Sequence, residues 1–513
     1  MSVNVIGLNT PNSYRLIAVT MSNQEGRQWD MMDLMDSFEL TESIYSMFLS
    51  GSITFVDNIN LFNRINFTGQ EYLRLHFSGP QKTEDESDGS HINQIFRITS
   101  VNSYVRDTQQ DLAKQIYGLK FVSPLLYEAQ TKRISKHFGG KNGQIIDEIT
   151  NKYLNFDKNN SDENSSETLV KGGNPLGNFF SVLDGNAGDV SGFLCPRWTV
   201  LKALRYLSEH CSDDTQMPYG NSFYLYQTAN KGFKFHGVAS MHGIVYRLLD
   251  GDSPEFSPRD AQEVYGDMDN PFTVGKDILN YNKMNMYNVM RGHKKGLYSG
   301  KILNYNTVTK QYTTIDNQFT QQFEVDDKGK YKSNLCIADR PSFRLSSENV
   351  MIPDDSGAQP GVPLPIANTG IQGDSIIDRY DACVNFDYNV PHTFSNVVET
   401  STDTSDSSIS NGSSHVKLNR DRVEALFENN SINVMLSGRT DISCGMMINL
   451  DIPQPMLESK EVPETTQNGL MLIEGIKWIG TRQGLETHLS CTSDGFLEDN
   501  GLNPDIKQEL VGT

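Results

Sequence analysis

Through the first part of the chain, short runs alternate β-branched or aromatic residues with polar ones. Ser52-Ile-Thr-Phe-Val56 and Glu71-Tyr-Leu-Arg-Leu-His-Phe77 place every second side chain on one face, as a half-buried strand requires. Asp57-Asn58 closes the first run, Thr68-Gly69-Gln70 opens the second, and the polar stretch 81–93 predicts a solvated hairpin tip. Residues 59–65 predict a single helical turn. After Pro124 the spacing changes. Leu125, Leu126, Ala129 and Ile134, then Ile145, Ile146, Ile149 and Tyr153, predict two short helices either side of Gly139-Gly140. The polar stretch 157–192 predicts a mobile loop. Pro196-Arg-Trp-Thr199 introduces a helix carrying Val200, Ala203, Leu204 and Leu207, and a strand at 222–228 follows, closed by a turn at Asn230-Lys-Gly232.

Strand patterns return over 273–314. Residues 318–410 lack a clear period, contain a Pro/Gly segment and run into the Ser/Thr-rich stretch 399–415, a linker composition. A helix is predicted over 418–427, with Val423, Leu426 and Phe427 on one face. Residues 432–496 read as β again. The class is α+β, mainly β.

An internal repeat is visible in the order of these runs. Phe48-Leu-Ser-Gly-Ser-Ile53 resembles Leu297-Tyr-Ser-Gly-Lys-Ile302; a strand after Gly69 resembles one after Gly445; and Ile95-Phe-Arg-Ile-Thr-Ser-Val-Asn-Ser-Tyr104 aligns with Leu470-Met-Leu-Ile-Glu-Gly-Ile-Lys-Trp-Ile479. The proposed equivalent positions are Gly51 and Gly300, Gly69 and Gly445, and Val101 and Ile476. The expected organisation is a first β-barrel at 1–124 and an α+β domain at 125–272. A second, split barrel takes 273–317 and 430–497, around an inserted domain at 318–429 with its Ser/Thr-rich linker, and a tail occupies 498–513.

Composition narrows the function. The 513 residues carry 44 Lys and Arg against 64 Asp and Glu, a net charge of −20, which argues against a general phosphate-binding surface. The six cysteines, Cys195, Cys211, Cys336, Cys383, Cys444 and Cys491, form no Cys-x-x-Cys pair, which suits a reducing assembly site. Neither a secretion signal nor a membrane-length apolar run is present in the sequence. Phosphate-loop, dinucleotide, zinc-protease and serine-hydrolase motifs are missing from it as well. Asp250-Gly-Asp252 and Asp326-Asp-Lys-Gly329 lack the remainder of a calcium loop, and His236 and His242 are not at a zinc spacing. Trp29, Trp198 and Trp478 are expected core anchors. No catalytic, cofactor or metal residue is assigned.

The order of the repeated strands, the helical segment at 125–153, the Pro196-Arg-Trp helix with its following hairpin, and the closing segments 431–453 and 469–496 resemble baseplate hub proteins of contractile phage tails. That family shares its core with the N-terminal part of type VI secretion spike proteins. The resemblance implies two barrels like the tail-tube subunit and a homotrimeric ring. That ring would adapt a sixfold tube to a threefold spike. It further implies contacts with the tube hexamer, a trimeric spike on a separate chain and baseplate wedge proteins. DNA would pass through the lumen without specific binding. The expected place is the virion tail after assembly in the host cytoplasm, with no enzyme activity, no cofactor and no membrane contact. The alternatives are the hub of a phage-derived injection or type VI-like system, and a hub-associated cell-wall hydrolase.

Overall fold

The computed structural model describes residues 4–6, 14–65, 67–79, 91–106, 114–154, 180–182, 192–212, 219–230, 232–238, 241, 263–265, 278–285, 288–306, 310–318, 340–341, 383–389, 413–451 and 469–496. The N-terminal part holds β1 (Asn4–Ile6), β2 (Tyr14–Ser22), β3 (Gln28–Asp30), β4 (Met35–Ser43), β5 (Ser50–Asp57), β6 (Tyr72–Ser78), β7 (His91–Arg106) and β8 (Gln115–Val122). The middle part holds β9 (Arg133–Gly139), β10 (Phe180–Val182), β11 (Gly192–Thr199), β12 (Phe223–Thr228) and β13 (Gly232–Gly237). Helices Pro124–Thr131, Asn142–Tyr153 and Val200–Glu209 pack with them. The C-terminal part holds β14 (Glu263–Tyr265), β15 (Ile278–Asn285), β16 (Ser299–Asn306), β17 (Gln311–Gln318), β18 (Arg340–Pro341), β19 (Val384–Asn389), β20 (Ser431–Ser437), β21 (Met447–Asp451), β22 (Gly469–Thr481), β23 (Leu485–Thr492) and β24 (Gly495–Phe496). It also contains helices Val289–Lys295 and Ser413–Asn429. The fold is α+β and mainly β.

One 14-stranded sheet dominates, ordered β1-β2-β6-β7-β8-β5-β4-β22-β23-β20-β15, with β3 on β2, β21 on β22 and β14 on β21. Alternation decides which face is buried. In β6, Leu73, Leu75 and Phe77 point inward while Arg74 and His76 do not, and β23 buries Leu485, Thr487, Leu489 and Cys491 in the same rhythm. A single apolar cluster joins Leu40, Phe55, Leu73 and Phe121 of the first part to Leu472, Trp478 and Leu489 of the second.

Three expectations change. Neither half closes into a barrel among the described residues: β4, the last strand of the first half, pairs with β22 of the second half, not with a strand of its own unit. Residues 133–139 form β9, not helix, because β11 supplies hydrogen-bond partners from Gly139↔Gly192 to Arg133↔Thr199. The strand with Gly300, β16, lies outside the large sheet in a three-stranded sheet, β17-β16-β19, so residues 299–317 do not supply the start of the second unit.

The middle part has its own core of Leu125, Ile134, Ile145, Ile149, Leu204, Phe223 and Phe235, which reaches the first unit through Phe48, stacked on Phe233 with centroids 5.5 Å apart. The Val200–Glu209 helix starts where Thr199 Oγ1 accepts the Lys202 N–H at 3.2 Å, an N-cap that fixes where the preceding strand ends. Apart from 180–182 and residue 192, the expected mobile loop at 157–192 lies outside the described residues, as do most of 318–410 and the whole tail 498–513.

Candidate functional site

The site is an internal strand junction together with the open edges that correspond to it. The correspondence follows from register. Opposite Leu119 of β8 lie Ile53 of β5 and Val101 of β7; opposite Leu489 of β23 lie Val434 of β20 and Ile476 of β22. Both long strands carry a bulge just before these positions, between Ile98 and Ser100 and between Ile473 and Gly475. The neighbours extend the match. Bulges interrupt β4 between Met35 and Ser37 and β15 between Ile278 and Asn280, where they face β5 and β20. The five-strand order β4-β5-β8-β7-β6 is thus repeated as β15-β20-β23-β22-β21.

This register places each singled-out residue. Val101 lies opposite Leu119 and Ile476 opposite Leu489. Gly69 and Gly445 precede β6 and β21, each in the left-handed region with φ of 82° and 76°, a conformation that a glycine adopts without steric cost. Gly51 pairs with Phe121, two positions from the Ile53–Leu119 pair. Its counterpart, two positions from Val434–Leu489, is Ile432, which pairs with Cys491. Gly300 pairs with Asn317 in the small sheet, so the proposed equivalence of Gly51 and Gly300 is corrected to Gly51 and Ile432.

At the junction, β4 and β22 run antiparallel from Ser43↔Gly475 to Ser37↔Thr481. The ladder is reinforced on both faces. Outside, Lys477 pairs with Glu39. Inside, the fully buried Trp478 donates its ring N–H to the Arg439 carbonyl at 2.7 Å; at the solvent-exposed end of the pairing, Arg482 Nε donates to the Met35 carbonyl at 3.1 Å. Phe38 lies so close to Gly480 that a side chain there would overlap its ring.

Glu42 is the polar exception in this core. Alternation on β4 sends Met35, Phe38, Leu40 and Glu42 inward, and the Glu42 carboxylate, 1% exposed, accepts the Ala229 N–H at 2.7 Å and the Cys444 N–H at 2.6 Å. One side chain therefore ties the first unit to the β12–β13 turn of the middle part and to the second unit. Burial pushes its carboxyl up to about 7, against the lowering effect of the two backbone hydrogen bonds and of Lys234. The sequence offered no motif for Glu42; the only trace is an acidic residue in phase with buried Phe38 and Leu40.

The outer face of the sheet is a trough. A cleft of about 630 Å³ is lined at once by β4, β22, β23, β20 and β15, among them Thr41, Ser43, Asn433, Lys477, His488 and Ser490. Lys477 pairs with Glu39 beside it, and the lining also includes Glu42 and Glu474, whose carboxyls burial pushes up to about 7.

Exposure distinguishes the junction from its counterparts. Ile476 is 1% exposed, whereas Val101 at the matching position is 40% exposed, and its strand continues through exposed Tyr104 and Val105. Phe38 of β4 is 2% exposed; its counterpart Tyr281 of β15 is 39% exposed. β4 covers one edge of β22 past Gly475, while the same stretch of β7 and the outer edge of β15 have no strand beside them among the described residues.

The described residues contain no cluster of three or more metal-ligating side chains. His236 is buried beside Tyr226, and burial lowers its imidazole to about 3; His242 and both Asp-rich turns lie outside the described residues. Cys195, Cys211, Cys383, Cys444 and Cys491 are buried thiols that form no disulfide with one another. Trp478 sits in the large core, Trp29 packs against it from β3, and Trp198 packs against the core of the middle part. No helix among the described residues is long and apolar enough to cross a membrane.

No family model matches the chain, and no curated protein matches it. Among solved structures, it is similar to a 43 kDa tail protein of prophage MuSo2 from Shewanella oneidensis, with 8% identity, a TM-score of 0.44, and coverage of 93% of this chain and 98% of that one. A tail protein from Neisseria meningitidis MC58 gives 7% identity, a TM-score of 0.44, and coverage of 94% and 97%. An Escherichia coli component of the type VI secretion system gives 9% identity, a TM-score of 0.36, and coverage of 96% and 77%.

Proposed function

We propose that this chain is a structural, non-catalytic subunit of a contractile-tail baseplate hub, acting as a homotrimeric ring between a sixfold tail tube and a threefold spike. One observation carries the reading. Two equivalent strand units are fused edge to edge through β4 and β22, and each unit end retains an open edge of the kind that the junction uses. Three such chains present six equivalent units on one face while remaining threefold elsewhere, which is what a symmetry adapter needs. The resemblance noted in the sequence supplies the biological setting.

The trough supports a central channel. A lining of hydroxyl, amide and apolar side chains with Lys477 already paired to Glu39 offers a passing polyanion no cationic track to bind. The tube hexamer and spike would dock on opposite faces, with wedge proteins outside, and the ring would reside in the virion tail.

Labelling the C-terminus and imaging intact particles tests this placement. The label is expected on the particle axis, where the tube meets the spike. Label on a fibre, on the capsid or at the baseplate periphery would overturn the assignment, and sustained peptidoglycan turnover by the purified protein would overturn its non-catalytic part.

A further inference from the structure

We propose that the open half-edge of β7, residues 101–106, pairs antiparallel with the open edge of β15, residues 280–285, in a second copy of this chain. The inference rests on the tandem-unit reading above and adds the residues through which copies join.

The internal junction is the template. β22 corresponds to β7 and β4 corresponds to β15, so the contact that β4 makes with β22 inside one chain has a counterpart that only another copy can complete. Lengths agree as well. The junction uses Gly475 to Thr481 of β22 against Ser37 to Ser43 of β4, and the free stretches of β7 and β15 are of similar extent.

The edges themselves point to a strand partner. Isolated strand edges are normally blunted by proline, by charge or by a covering loop. Residues 101–106 contain no proline and a single charge, the terminal Arg106, and they expose Val101, Tyr104 and Val105. β15 exposes Leu279, Tyr281 and Met284 and carries a single charged residue, Lys283. Adding a strand to each edge satisfies the backbone groups and covers these side chains. Because the contact is head to tail, successive copies turn in the same sense as the two units within one chain, and a turn of about one sixth of a circle per unit closes three chains into a ring.

The register follows from the repeat. Val105 lies opposite Ile116 as Ile479 lies opposite Glu486, and Asn282 lies opposite Asn433 as Glu39 lies opposite Ser52. Since Ile479 pairs with Glu39 across the internal junction, Val105 of one copy should face Asn282 of the next. Directly opposed strand positions are close enough for a disulfide.

The test mixes a Val105→Cys chain with an Asn282→Cys chain under mild oxidation, while the double variant is oxidised alone. The mixture is expected to give a covalent heterodimer, and the double variant a covalent trimer on denaturing gels, each lost when either cysteine is absent. The five described native cysteines are buried and should not compete. A trimer in solution whose 105–282 pair never crosslinks would overturn this edge pairing and leave the trimer standing. A chain that stays monomeric at every concentration would overturn both.

Discussion

Gly51→Val is expected to destabilise the folded chain by about 3 kcal/mol or more, the upper range for forcing extra volume into a packed core. A Cβ at Gly51 would overlap the Glu39 carbonyl oxygen of the neighbouring strand and lie 2.5 Å from Phe121 Cζ. The first obstacle is backbone, held in the β4–β5 ladder, and cannot swing aside. The loss would be a large fraction of an ordinary domain's stability, so urea unfolding should show a much lower midpoint, or the variant should be recovered only as aggregate. Gly300→Val is the control. A Cβ at Gly300 meets the flexible end of Arg422 at 3.0 Å and the Cys383 carbonyl at 3.4 Å, and its strand belongs to the small sheet. The smaller loss should fall on Gly300→Val. Equal losses at the two positions would contradict the close approach of the Glu39 carbonyl to Gly51.

Glu42→Ala is the second severe change. It strands two buried N–H groups, Ala229 and Cys444, and each orphaned donor costs about 1–3 kcal/mol. Glu42→Gln keeps one acceptor oxygen and should fall between wild type and alanine. The pH dependence of Glu42 is its signature. Burial raises its carboxyl from the ordinary 4.5 to about 7, so the native state holds this proton more tightly than the unfolded chain. The stability it contributes is fully present below about pH 4.5 and is lost as pH rises through 7. His236 acts in the opposite sense: burial lowers its imidazole from the ordinary 6.5 to about 3, so its contribution is present above pH 6.5 and is lost as pH falls toward 3. Comparison with Glu42→Gln isolates the carboxyl. The stability of wild type relative to that variant should fall with a slope on the order of 1.4 kcal/mol per pH unit between about pH 4.5 and 7. A constant difference across that window would show that Glu42 does not titrate there.

What the sequence made legible is what local pattern controls. Leu73, Leu75 and Phe77 are buried because alternation puts them on one face. Gly69 and Gly445 sit where the chain needs a positive φ. The Ile95–Tyr104 and Leu470–Ile479 segments align because each contains a strand bent by a bulge at the same place. What it obscured is set by distant partners. Ser-Gly-Lys-Ile looks like Ser-Gly-Ser-Ile over four residues, but β16 pairs with β17 and β19 while β5 pairs with β4 and β8. The start of the second unit is instead β15, whose Asn280, Asn282 and Lys283 hide the strand pattern because one of its edges has no neighbour among the described residues. Closed barrels were implied by the resemblance to the hub family. Here β22 takes the edge of β4, and the sheet continues from one unit into the next.

That continuation is also the physical basis of the proposed assembly. A sheet that joins two equivalent units in one chain with ordinary ladder hydrogen bonds has already made the contact that a ring must repeat, and its apolar core runs unbroken across the seam. The polar trough follows from the same alternation, since every second residue of β4, β22 and β23 turns away from that core.

The most direct measurement is the mass of the purified assembly, joined to its symmetry in particle images. The account predicts three chains forming a ring of six similar lobes around an open channel. A monomer without a channel, or a ring of six identical chains, would contradict it.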